Sequence, residues 1–185
     1  MTVQERLYTP AEFEAFVKRP ENADKLFELI AGEIIEVPSN PYVSFIGSII
    51  LTALMNFVLA NKLGFVTGEA GGYMVGDERY APDVAYISFE KQPALARSGY
   101  NPNPPDLAVE VLSTDTTAQA NQMRVKVSNY LAAGTVVWVV DPDAKTVEVH
   151  APGMAVIVYR GNATVDGAPV LPGLTLDLAW IFQRS

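Results

Sequence analysis

Three residues carry the chemistry that this sequence can offer. Asp83 stands in Ala81-Pro82-Asp83-Val84, Glu110 in Leu107-Ala108-Val109-Glu110-Val111-Leu112, and Lys126 in Arg124-Val125-Lys126-Val127. Each carboxylate sits in a strand-like apolar run, where a charge is costly unless it is paired or holds a metal. Two strand carboxylates and a nearby lysine are what metal-dependent phosphodiester cleavage requires. On this reading Asp83 and Glu110 give hard oxygens to Mg²⁺, with Mn²⁺ as a substitute, and the backbone carbonyl of Val111 adds a ligand. The metal lowers the pKa of a bound water and neutralises charge on the phosphate. Lys126 orients the attacking water or stabilises the negative transition state. A rival reading makes the same residues structural. Asp83 is then a solvent-facing strand start, and Glu110 with Lys126 a partly exposed ion pair of little worth.

The elements that must position these residues are legible in outline. Thr9-Pro10 opens a short helix over Ala11 to Val17. Lys25 to Ile30, Ala31-Gly32 and Glu33 to Val37 read as a hairpin with a two-residue turn. Asn40-Pro41 opens a long helix that Gly64 closes. Strands follow around Phe65 to Val75 and Asp83 to Ser88, with a bulge or close approach at Gly71-Gly72 and a turn at Gly76-Asp77. The stretch from Lys91 to Pro105 holds four prolines and reads as a loop long enough for a flap or partner contact. Leu107 to Leu112 is a strand. Ser113, Thr114 or Asp115 caps a helix to about Ala133, and Gly134 ends it. Thr135 to Val140 has the unbroken apolar run of a buried central strand. Thr146 to His150 and Ala155 to Tyr159 form a hairpin, and the tail packs back through Leu174, Leu176, Leu178 and Trp180. Strand, helix and strand from Leu107 to Val140 imply a parallel crossover, and the flanking hairpins imply antiparallel partners. The expected fold class is therefore α/β, one domain over residues 1–185 with a mixed sheet flanked by helices and an N-terminal β-hairpin.

In the third of those helices Met123, Val127, Tyr130 and Leu131 make a stripe that faces the sheet. Lys126 lies at its border, so its stem can run along apolar surface and deliver the ammonium to Glu110. Gln119 and Gln122 lie beside it. Tyr130 shares this face with Lys126, within reach of the site, though core packing is its expected role.

Composition narrows the function classes. Of 185 residues, 49% are hydrophobic and 18% charged, which supports a substantial core and argues against disorder. The absence of cysteine excludes disulfides and thiolate zinc sites and fits a reducing, cytoplasmic location. A single histidine, His150, excludes two-histidine metal motifs and disfavours a Ser-His-Asp triad. The net charge of −8 repels polyanions, which argues against a constitutive nucleic-acid binder more than against a nuclease. Met1 to Arg6 are not followed by the apolar stretch of a signal peptide. Val37 to Asn61 carries no charge, yet Ser44, Ser48, Thr52 and Asn56 recur every fourth residue. That polar stripe favours a buried or interface helix over a membrane span.

Five segments, in order, resemble one family. They are Phe27-Glu28-Leu29-Ile30-Ala31-Gly32-Glu33, Ala81-Pro82-Asp83-Val84-Ala85-Tyr86, Pro105 to Ser113, Lys126 to Gly134, and Val137-Trp138-Val139-Val140-Asp141-Pro142. Together they are similar to the Uma-type putative restriction endonuclease family, which is common in bacteria. The resemblance implies the restriction-endonuclease-like fold of the PD-(D/E)XK nuclease superfamily. It matches the metal aspartate to Asp83 and the second carboxylate to Glu110. The superfamily's usual lysine position, two residues later, is Leu112 here, and the family resemblance places the lysine at Lys126 instead. Glu28 or Glu33 corresponds to acidic residues near the site. Two departures stand out: Gln122 where relatives often carry an acid, and Tyr42-Val43 where they often carry a histidine.

The expected function is a Mg²⁺-dependent endonuclease acting on DNA, with the apolar helix and two strands to cut suggesting a homodimer. The rivals are a catalytically degenerate dimeric interaction module of the same fold, and a hydrolase of another phosphate ester.

Overall fold

Local signals set the first elements. In the computed structural model of the chain, which describes residues 7–37, 40–113 and 117–183, Thr9 caps the helix α1 (Pro10–Val17). The Thr9 hydroxyl accepts from the Glu12 N–H at 3.3 Å, and the Glu12 carboxylate accepts from the Thr9 N–H at 2.9 Å. This reciprocal pair satisfies two donors that a helix start leaves open. The hairpin of β1 (Phe27–Ile30) and β2 (Glu33–Glu36) follows. Ala31 and Gly32 turn it, with φ of 52° and 80°. Two left-handed residues are what a tight hairpin turn demands.

The long helix α2 (Pro41–Asn61) starts as predicted, with the Asn40 side chain accepting from the N–H groups of Tyr42 (3.1 Å) and Val43 (3.3 Å). Its end corrects the sequence reading. Lys62, with φ of 54°, makes the left-handed cap. Gly64 begins the next strand instead, where a Cβ would run into the Ile87 carbonyl oxygen.

The remaining elements are β3 (Gly64–Gly68), β4 (Tyr73–Val75), β5 (Glu78–Tyr80), β6 (Val84–Ser88), β7 (Leu107–Val111), α3 (Thr117–Ala132), β8 (Val136–Asp141), β9 (Thr146–His150), β10 (Ile157–Arg160), β11 (Thr164–Asp166), β12 (Thr175–Asp177) and α4 (Leu178–Ile181). The main sheet has six strands in the order β10-β9-β8-β7-β6-β3. Among the described strands of this sheet only β7 and β8 pair in parallel, and α3 connects them. A second, antiparallel sheet has the order β2-β1-β5-β4, so the N-terminal hairpin belongs to a layer of its own. The three-residue β5, too short to announce itself in the sequence, joins that hairpin at Leu29 and Arg79. β11 and β12 form a separate pair.

Alternation along β7 and β8 sorts the core into two layers. Val109, Val111, Trp138 and Val140 face α2, which contributes Val43, Ile46, Ile50, Leu54 and Val58. Ala108, Val137 and Val139 face the other way, toward Tyr130 of α3 and Tyr73, Val75 and Tyr80 of the second sheet. Both faces are covered, which explains the unbroken apolar run of β8. Helix α2 is long and apolar enough to cross a membrane by length and composition, but one of its faces is committed to this core. Leu54 is fully buried there. Leu54→Ala is expected to cost about 2–5 kcal/mol of unfolding free energy, read from the urea midpoint.

Two further expectations change. Leu174, Leu176 and Leu178 are buried as predicted, but Trp180 is 41% exposed, and Ile181 and Phe182 take its place in the core. The 91–105 segment is fastened down, not free as a flap. Gln92 and Asn101 are buried and share a 2.7 Å hydrogen bond, and the Tyr100 hydroxyl donates to the Phe27 carbonyl at 2.8 Å. The absence of a side chain at Gly72 leaves room for the Tyr100 ring, the close approach that the glycine pair announced.

Candidate functional site

The C-terminal end of β7 projects Glu110 on the same face as Ala108, toward α3 and the second sheet. Sixteen residues later, α3 returns across that face and brings Lys126 to it. The Lys126 ammonium donates to Glu110 Oε2 at 2.7 Å and to Glu28 Oε1 at 2.9 Å. All three side chains are buried, with 4–6% exposure. The lysine is thus enclosed between two carboxylates. Its helical position suggests this delivery of the ammonium to Glu110, and the structure shows it.

Glu28 comes from β1 and reaches further, accepting from the Ala81 N–H at 2.7 Å. This bond ties the second sheet to the segment that carries Asp83. The Asp83 carboxylate in turn accepts from the Val111 N–H at 2.7 Å. Asp83, Glu110 and Val111 are therefore brought together by bonds between β7 and the start of β6. Of the two hairpin acids that the sequence singled out, Glu28 enters the site, whereas Glu33 is exposed and outside it. Gln122 lies one turn before Lys126 and lines the same cavity, as does Leu112. The helix cap at Thr114 or Asp115 falls outside the described residues. His150 pairs with Glu148 at 3.1 Å and lines no part of the cavity.

Tyr130 has a role that core packing alone does not convey. It lies one turn after Lys126 on α3, fully buried, and its hydroxyl donates to Glu110 Oε1 at 3.0 Å. Helix α3 thus holds both oxygens of Glu110, one with each of two side chains four residues apart. The signal available in the sequence was this spacing combined with a polar end on an otherwise apolar residue. Behind the site, the Tyr80 ring packs edge-on to Tyr130 at 5.2 Å and lies under the Lys126 ammonium at 5.4 Å. Asn129 donates to the Tyr80 hydroxyl at 2.8 Å and fixes the ring. Tyr130→Phe keeps the packing and leaves Glu110 Oε1 without its donor. The expected cost is about 1–3 kcal/mol of stability, measured by urea denaturation.

The electrostatics of the site are those of excess buried negative charge. Burial raises Asp83 to about 6, although the Val111 N–H and Lys126 pull it down. Burial also pushes Glu110 up, opposed by Lys126 and reinforced by Glu28 and Asp83. For Lys126 burial acts downward, but Glu110 and Glu28 outweigh it and the lysine is raised, so it stays charged. Burial, with Glu110 beside it, holds the Tyr130 hydroxyl well above its ordinary range and keeps it a donor. Three carboxylates against one ammonium leave room for more positive charge.

A cavity of about 650 Å³ opens onto this group. Its walls are Ile35 and Glu36 of β2, Asn40 and Val43 at the start of α2, Leu112 and Ser113 after β7, and Gln119 to Arg124 of α3. Among the described residues, no group of three or more His, Cys, Asp or Glu is arranged as a metal cage. The donors at hand are the carboxylates of Asp83 and Glu110 with the carbonyl of Val111 beside them. That all-oxygen, incomplete set fits Mg²⁺, which keeps several waters and takes one or two carboxylates.

A family model described as Uma2, putative restriction endonuclease, matches residues 11–179. The chain is similar to a solved structure from Anabaena variabilis ATCC 29413, described as a putative nuclease belonging to DUF820. The likeness has a TM-score of 0.77 at 24% identity, over 95% of this chain and 97% of that one. It supports a restriction-endonuclease-like fold for the mixed sheet and its flanking helices. No curated protein matches the chain.

Proposed function

Starting from the chain's membership of the Uma2 family of putative restriction endonucleases, we propose that it is a Mg²⁺-dependent endonuclease that hydrolyses phosphodiester bonds of DNA. The observation that carries this reading is the convergence of half-buried Asp83 with buried Glu110 and Lys126 on one open cavity. Asp83 and Glu110 would hold the metal, with the Val111 carbonyl. When bound, the metal acidifies a water and offsets charge on the scissile phosphate.

The protein's own groups do the rest. Tyr130 donates to Glu110 Oε1 and sets the direction of the carboxylate before any metal arrives. The Val111 N–H holds one Asp83 oxygen and leaves the carboxylate aimed along the sheet end. Lys126 supplies a permanently charged ammonium beside the place where negative charge develops. Glu28 gives that ammonium a second acceptor, so Lys126 stays anchored if Glu110 turns toward a metal. Mn²⁺ suits the same oxygen donors.

The test is incubation of supercoiled plasmid, RNA and a small phosphodiester with pure protein and Mg²⁺ or Mn²⁺. Metal-dependent nicking or linearisation of plasmid, lost in Glu110→Gln, is the expected result. Cleavage of only the small ester would transfer the site to another phosphate ester. No cleavage of any substrate would favour the degenerate interaction module, the reading that Gln122 and the net charge of −8 suggest. Cutting two strands with one site per chain also calls for a homodimer. Tyr42, Phe45 and Leu59, exposed on α2, are its natural contact, and a monomeric mass in light scattering would contradict it.

A further inference from the structure

A second cavity, of about 500 Å³, lies between α2 and the end of β3. Asp83 is the one residue that lines both cavities. We infer that this second cavity is a subsite for an uncharged nucleoside, base and sugar, adjoining the phosphate handled in the first; the assignment rests on the nuclease reading above.

The polar stripe of α2 finds its place here. Ser44, Ser48 and Leu51 form one wall, and Thr67, Glu69 and Gly71 form the other. Gly47 places the helix beside the site: a Cβ there would stand in ordinary contact, 3.7 Å from the Asp83 Cβ. In the β3–β6 register Gly68 is opposite Val84, so Glu69 follows on the side of Asp83, and its charge acts on that carboxylate.

Charge separates the two cavities. The first contains Lys126 and Arg124 among its walls. The second contains no Lys or Arg among the described residues and has Glu69 beside Asp83. A phosphate placed there would meet the Glu69 carboxylate with no Lys or Arg beside it among the described residues, whereas in the first cavity it meets Lys126 and Arg124. Hydrogen bonding points the same way. The Ser48 hydroxyl donates to the Ser44 carbonyl at 2.8 Å, so toward the cavity it offers lone pairs. The Glu69 carboxylate is an acceptor only. Acceptors select donors, and a phosphodiester has none. Base amino groups and sugar hydroxyls do, and carboxylates accept well from the amino group of cytosine. Leu51 offers the base an apolar face. The trough therefore reads as cation-bearing on one side of Asp83 and acceptor-bearing on the other.

The test needs no cleavage. Deoxycytidine and, separately, inorganic phosphate are titrated into the full chain, and the amide resonances of Gly68, Glu69 and Gly71 are followed by NMR. Two variants, Glu69→Ala and Ser48→Trp, are compared after their melting curves show an intact fold. Deoxycytidine is expected to shift these resonances in the wild type. Its dissociation constant is expected to rise by about ten-fold in Glu69→Ala, the loss of one charged hydrogen bond. Ser48→Trp, which fills the cavity, is expected to abolish the shifts, and phosphate to cause none. The subsite is overturned if deoxycytidine leaves the resonances unmoved, if phosphate moves them instead, or if Ser48→Trp binds as the wild type does. Nucleoside binding by a chain that cuts nothing would leave the subsite standing and remove the nuclease; DNA cleavage without nucleoside binding would do the reverse.

Discussion

Lys126→Met is expected to reduce DNA cleavage by about 10²–10³ and to destabilise the metal-free protein by about 3–5 kcal/mol. The two effects share one cause. Among the described residues the ammonium is the only cation given to Glu28 and Glu110, at 2.9 and 2.7 Å. Methionine fills the same volume but leaves two carboxylates facing each other in a buried site. The loss should depend on pH. Lys126 holds Glu110 down against burial, so without it Glu110 rises further. A carboxyl raised in the folded state stabilises while it is protonated, below its unfolded pKa, and that contribution is lost as pH rises through the folded value. The deficit of the variant is therefore smaller near pH 5 and larger near pH 8. Urea midpoints at the two pH values measure it. A uniform deficit would mean that the methionine disturbs packing, not charge.

Asp83→Asn is expected to reduce cleavage by a similar factor, about 10²–10³, with the opposite sign for metal-free stability at neutral pH. Burial raises Asp83 to about 6. The stabilising contribution of this carboxyl is complete below its ordinary value and is lost as pH rises through about 6. The asparagine carbonyl can still accept from the Val111 N–H, and it carries no charge to bury. Relative to wild type, the variant should therefore gain stability between pH 4 and pH 7. Mg²⁺ reverses the order. It requires the ionised carboxylate, so it stabilises the wild type by about 2.7 kcal/mol at one hundred times its dissociation constant and leaves the variant unchanged. Melting curves with and without Mg²⁺ at the two pH values give all four numbers. An Asp83→Asn protein that Mg²⁺ still stabilises would remove Asp83 from the metal site.

Much of this arrangement is legible in the sequence because it is written in local patterns. The Thr9-Pro10 start, the Ala31-Gly32 turn and the apolar run of β8 each follow from a short-range rule, and each appears where expected. Asp83, Glu110 and Lys126 stood out because charges in apolar segments need a reason. What escaped depends on distant partners. β5 has only three residues and takes its identity from β1. Glu28 and Glu33 are both candidate acids on the hairpin, and only the fold of the second sheet separates Glu28 from exposed Glu33. Tyr130 looked like core because a buried tyrosine usually is, and its hydroxyl gains meaning only from the Glu110 oxygen across the helix. Trp180 misled because size suggests burial, while the turn of α4 presents Ile181 to the core in its place.

The most direct measurement is calorimetric titration of Mg²⁺ and Mn²⁺ into wild type and an Asp83→Ala/Glu110→Ala variant. Each titration is run in two buffers of different ionisation enthalpy. Saturable binding to the wild type, with protons released near pH 6 and nothing bound by the variant, is the predicted result. Equal binding by both proteins would contradict the placement of the metal at Asp83 and Glu110, and with it the account of the site.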